Sequence, residues 1–173
     1  TDALAILPNG DILVSFSDAG MTTSNPNFGG QPILDGDVVV IPASRAPLSG
    51  IWAYRESEWG SYISQALGAP AFAYTDLDGL EIDPLGAPAR PNPHRPGTVR
   101  PDVLFTVDDA APPGSPSGWR TNHVFSTRRS GLGDGAIVRD ARTFGYGAFG
   151  GAPQGVTIDA LALAPPNVRP APT

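Results

Sequence analysis

The chain contains no cysteine. Disulfides, zinc–thiolate sites, iron–sulfur clusters and cysteine nucleophiles are therefore excluded together. The compartment stays open, because exported proteins without disulfides are common. Lysine is absent as well, and all 11 basic residues are arginine, which reads as genome composition rather than function. Acidic residues outnumber basic ones to give a net charge of −6, which argues against a binder of nucleic-acid phosphates. No apolar run approaches the roughly 18–20 residues of a membrane-spanning helix. The two histidines, His94 and His123, stand in different stretches with no metal-ligand spacing and no activated serine beside them. Gly114-Ser115-Pro116-Ser117-Gly118 carries Pro116 where a nucleophile elbow needs its serine. The glycine-rich stretches at Gly131 to Gly135 and Gly145 to Gly151 match neither a P-loop nor a dinucleotide fingerprint. They read as turns and bulges.

What the chain has in excess is turn formers. It carries 21 glycines and 20 prolines in 173 residues, with 40% hydrophobic and 16% charged residues. That composition suits a globular protein with a core, penalises long helices and favours short strands joined by many turns. Leu4 and Ile6 alternate with Ala3 and Ala5, so one face of a strand can be buried. Pro8-Asn9-Gly10 is a hairpin turn, with proline fixing one corner and Asn-Gly tolerating positive φ. Ile12 to Phe16 and Val103 to Val107 are dense in β-branched and aromatic residues and read as central strands. Ile51 to Tyr54 and Phe144 to Tyr146 are candidates for fourth strands. One helix is expected: Ser57 is the candidate N-cap, Trp59, Ile63, Ala66 and Leu67 share a face, and Gly68 is the stop.

These segments recur in order. Asp2 to Asp18 is followed by Asp35 to Val40; Asp78 to Gly86 is followed by Asp102 to Asp109 and then Asp134 to Arg139; a third start stands at Asp159 to Leu163. Each unit runs from an Asp-led strand through a Pro/Gly turn to an apolar strand ending in Asp, then a loop and a further strand. The expected fold is all-β. It has two tandem four-stranded antiparallel sheet units in a β-sandwich or partial-propeller arrangement, with one short helix and Pro-rich arms. One domain covers 1–173, with pseudo-repeats 1–75 and 76–157, a closing strand at 158–163 and a Pro-rich tail at 164–173. The helix interrupts the first unit. A proline-dense segment from Ala87 to Pro101 interrupts the second and is expected to form an extended arm.

The motif residues Asp2 to Asp18, Asp35 to Val40, Asp76 to Pro84, Asp102 to Asp109, Asp134 to Val138 and Asp159 to Leu163 resemble a family of poorly characterised exported bacterial proteins. In that family an Asp-Ala-Leu / Phe-Ser-Val-Asp unit repeats in β-propeller-like sheets. The resemblance implies sheet blades and export, and it implies no activity. A propeller typically needs four to eight blades to close, so either the two units face each other as a sandwich or flattened barrel with the 158–163 strand completing the first sheet, or the chain is a fragment, or strand edges are left open to partners. The chain begins without methionine inside a strand-like segment, which fits either removal of an export leader, the preferred reading, or a piece of a longer protein. The expected location is periplasmic or extracellular.

Function follows from these features. The first expectation is a non-catalytic structural or interaction subunit of an extracytoplasmic or membrane-attached assembly. It would bind a protein partner or another copy through the proline arm and strand edges, with Arg90, His94, Arg95, Arg100, Trp119 and Arg169 as contact residues. The second is a calcium-dependent binding or adhesion module. Asp76, Asp78, Glu81 and Asp83 would supply hard oxygen ligands, although the spacing is not that of an EF-hand and turn capping explains the same residues. Calcium is the one cofactor candidate. The third is a hydrolase using paired carboxylates, for which Asp35-Gly36-Asp37 and Asp108-Asp109 are the clusters.

Overall fold

The computed structural model describes residues 3–17, 20–67, 77–83, 90–107, 124–130 and 133–139, with side chains described up to Arg128. Among these residues the chain is mostly strands in antiparallel sheets, with one α-helix. The first sheet is a meander of β1 (Leu4–Ile6), β2 (Ile12–Val14), β3 (Val38–Ile41) and β4 (Ile51–Tyr54), hydrogen-bonded in that order. The Pro8-Asn9-Gly10 turn joins β1 to β2 as its composition requires. Gly10 takes φ +84°, its N–H donates to the Leu7 carbonyl at 2.9 Å, and the Asn9 side chain accepts from the Asp11 N–H.

Helix α1 (Glu56–Leu67) follows β4 directly. It begins one residue before the expected cap, Ser57. The cap comes from elsewhere in the chain: Asp37 Oδ1, from the turn before β3, accepts the Glu56 N–H at 2.8 Å. Glu58 reaches back to the Arg55 N–H at 2.8 Å, the second half of a capping box. Trp59 and Ile63 are fully buried, as their shared face predicts.

Beyond α1 come β5 (Gly79–Ile82), the short strands β6 (Arg90–Pro91) and β7 (Val99–Arg100), and then β8 (Val103–Thr106), β9 (Val124–Ser130) and β10 (Gly133–Arg139). Strands β5, β8, β9 and β10 form a second four-stranded antiparallel sheet, while β6 and β7 pair only with each other. No described helix is long and apolar enough to cross a membrane.

One core joins both sheets and the helix. Ala3 and Ala5 of the first sheet, with Leu13, Val38 and Val40, meet Leu77, Leu80, Val103, Phe105 and Phe125 of the second. Aromatic rings bridge the layers, with Trp59 4.8 Å from Phe105 and 5.1 Å from Tyr54 between ring centres. A smaller cluster of Val14, Phe28, Ile33, Val39 and Trp52 lies on the other face of the first sheet, under the loop between β2 and β3. Strand β1 runs beside β5 without pairing to it. Its buried face is the alanine one, because methyl side chains let β5 approach closely. Leu4 and Ile6 point the other way and are 50% and 63% exposed.

Two expectations need correcting. The segment ending at Pro101 is not an extended arm where it is described: residues 90–101 form a hairpin that turns at Arg95-Pro96-Gly97, with Gly97 at φ +80°. The strand at Asp134 to Arg139 is the fourth of its sheet, because β9 precedes it. The candidate strand at Phe144 to Tyr146, the closing strand 158–163 and the tail 164–173 lie outside the described residues.

Candidate functional site

The two border strands of the first sheet are treated very differently. Among the described residues no strand pairs with the outer edge of β4, and the 90–101 hairpin lies along it. Asn92 Nδ2 donates to the Trp52 carbonyl at 2.6 Å, and Arg100 Nη1 donates to the Ala53 carbonyl at 2.6 Å. Successive carbonyls of a regular strand point to opposite edges, so two neighbours facing the same way need a distortion. It is present: Val38 pairs with Tyr54 and Val39 with Trp52, which leaves Ala53 as the extra residue of a bulge.

The hairpin is held there by charge that is largely withdrawn from solvent. Arg100 stacks 4.0 Å over the Tyr54 ring and forms a fork with Glu58, at 3.0 Å to Oε1 and 2.8 Å to Oε2. Its Nη2 also donates to Tyr62 Oη at 3.1 Å. His94 Nε2 lies 2.6 Å from Glu58 Oε1. Burial pushes the Glu58 carboxyl up, but the bonds and charge of Arg100, the Arg55 N–H and the His94 contact together leave it below its ordinary value. Burial likewise pulls Arg100 down, yet Glu58 and the two tyrosines hold it above its usual value. Burial raises both Tyr54 and Tyr62, so both remain phenols at neutral pH. Tyr54 Oη closes the far side by donating to the Pro101 carbonyl at 2.5 Å. Such a network, with its charges matched, fixes one geometry for strand, helix and hairpin.

A second polar layer sits below the hairpin on the second sheet. Arg90 Nη2 lies 2.6 Å from Asp102 Oδ1 and donates to the Thr127 carbonyl at 2.8 Å. Asp83 accepts a hydrogen bond from Ser126 and stands 3.7 Å from Arg128 Nε.

Carboxylates also gather at the start of α1. Asp37 is fully buried and receives Arg55 Nε at 3.1 Å, the Glu56 N–H and the Leu34 N–H at 3.0 Å. Beside it, burial, the charge of Asp35 and a hydrogen bond to Asp35 push the Glu56 carboxyl up to about 7.

The residues singled out from sequence divide as follows. Arg90, His94 and Arg100 make the internal contacts above, and Arg95 is exposed with Nη1 2.7 Å from Asn27 Oδ1. Asp78 and Asp83 flank β5, and Glu81 lies within it with Oε1 accepting the neighbouring Ile82 N–H at 2.8 Å. Among the described residues no group of three His, Cys, Asp or Glu side chains is placed to hold a metal ion. Asp76, Trp119, Arg169, Asp108, Asp109 and His123 lie outside the described residues. Sequence reasoning missed Asn92 and Glu58 as partners of the hairpin. The Pro96-Gly97 pair was the available signal, since Pro-Gly between Arg90-Pro91 and Val99-Arg100 marks a turn. The chain matches no family model, no curated protein and no solved structure.

Proposed function

We propose that the chain is a non-catalytic structural and interaction subunit of an extracytoplasmic assembly, built of two sheet units in tandem, and that it docks a further sheet unit on the outer face of β1. The docked unit is supplied by a second copy of the chain. One observation carries this reading: Leu4 and Ile6 are the exposed side of a strand whose other side is already packed against β5. Aliphatic side chains exposed together on a border strand form a docking surface more readily than single scattered ones do. The tandem arrangement is supported by two meanders of four strands each, with their first strands β1 and β5 side by side. A unit placed against β1 as the second unit is placed against the first would cover Leu4 and Ile6 and continue the series. Head-to-tail contacts of this kind close into rings when the rotation allows. Of the described arm residues named from sequence, Arg95 at the hairpin tip is the exposed one, although its Nη1 also donates to Asn27 Oδ1.

Sedimentation velocity tests the proposal. The native chain is expected to show a mass that rises with concentration, and Ile6→Glu is expected to hold it at the monomer. A native chain that stays monomeric at all concentrations, or an Ile6→Glu variant that associates equally well, would overturn it.

The carboxylate-hydrolase alternative has one observation in its favour, the raised Glu56 beside Asp35. A raised carboxyl alone does not supply the pair of facing carboxylates that glycoside hydrolysis uses, so the docking reading is preferred.

A further inference from the structure

The β4 border poses a problem that the β1 face does not. Ile51-Trp52-Ala53-Tyr54 is an uncharged, aromatic-rich strand that, among the described residues, is paired on one side only. Segments of this kind template further strand pairing, and a strand edge meeting the same edge of a second copy is self-complementary. The usual protections are charge, proline or a covering segment, and β4 itself has neither charge nor proline. Its outward carbonyls, from Trp52 and Ala53, are instead filled by side-chain donors from residues far along the chain, Asn92 and Arg100. The covering segment also carries the missing proline and charge, at Pro91, Pro93, Arg95 and Pro96.

We propose that the 90–101 hairpin is an edge guard, and that its hold on the Trp52 and Ala53 carbonyls keeps β4 from pairing antiparallel with β4 of a second copy. The guard acts through side chains rather than through a fifth strand, so it ends the sheet without offering a new edge in the same plane. Its attachment is local and strong at Arg100, where the fork to Glu58 anchors it. It is more easily opened at Asn92, which contributes one donor to β4 and whose side-chain oxygen separately accepts the His94 N–H at 3.0 Å.

Asn92→Asp is the variant that separates guarding from folding. It keeps the acceptor for the His94 N–H and replaces the donor with a carboxylate oxygen facing the Trp52 carbonyl. The experiment is run in the Ile6→Glu background, so that the β1 face is silent, and Asn92→Ala is measured beside it. Sedimentation gives the mass, and hydrogen exchange read by mass spectrometry gives the protection of the peptide covering 51–54. The guard predicts a concentration-dependent doubling of mass in both Asn92 variants, with the β4 peptide gaining protection in the associated form. A folded, monomeric Asn92 variant, or an associated form whose β4 peptide gains no protection, would overturn it. If Asn92→Asp fails to fold, Asn92→Ala is read by the same two criteria.

Discussion

The first sheet ends in two strands of similar length and similar lack of charge, and the chain treats them in opposite ways. At β4 every feature closes the border: a bulge at Ala53, two filled carbonyls and a half-buried Arg100–Glu58 pair holding the cover in place. At β1 the alanine face is packed and the aliphatic face is left in solvent. The contrast teaches that exposure at β1 is not a general looseness of the sheet. The chain has the means to cover a border and applies them on one side.

The largest effect that should break the contrast is loss of the anchor. Arg100→Ala takes the forked cation from a half-buried Glu58 and a donor from the Ala53 carbonyl, and such a loss of charged hydrogen bonds costs about 2–3 kcal/mol. Denaturant unfolding measures it, and a loss below about 1 kcal/mol, the usual worth of an exposed pair, would mean that the fork is a surface contact only.

The next effect sharpens the β1 side. Ala5→Leu puts a large side chain where β5 packs closely, and overpacking of this kind costs about 1–3 kcal/mol. The same unfolding measurement reads it. A neutral result would mean that β1 and β5 are not tightly packed, and the reason given for the outward direction of Leu4 and Ile6 would fail.

The smallest effect concerns pH. Glu56 lies next to the guarded border, and its carboxyl is raised from 4.5 to about 7 in the folded chain. A raised value means that the folded state holds the proton more tightly than the unfolded one. The stability this gives is complete below 4.5 and is lost as pH rises through 7. Glu56→Gln should therefore remove part of the fall in Tm between acid and mildly alkaline solution. The gain at the alkaline end should be on the order of 1 kcal/mol at most, given solvent screening of a partly exposed group. Parallel pH profiles for the two proteins would contradict the assignment.

Much of the strand content was legible because it rests on local signals. The Pro8-Asn9-Gly10 turn and the β-branched runs in β2, β3 and β8 all appear in the structure. Strand β9 was not legible. Val124 and Phe125 are adjacent and both buried, so the strand lacks the two-residue period, and Arg128-Arg129 follows without a turn former. The direction of β1 was not legible either, because an alternation of Ala with Leu or Ile says that faces differ and not which one meets a neighbour. The helix start was misplaced by a cap from Asp37, outside the local window. The guard at β4 depends on contacts of Asn92 and Arg100 with residues some forty positions away, and a proline-dense stretch read alone looks free when its polar side chains are already in use.

The unlike borders of the first sheet are tested most directly by photo-cross-linking of the native chain, with a photoreactive phenylalanine analogue placed either at Leu4 or at Ile51. The account predicts covalent dimers from position 4 and none from position 51. Dimers from position 51, with none from position 4, would contradict it.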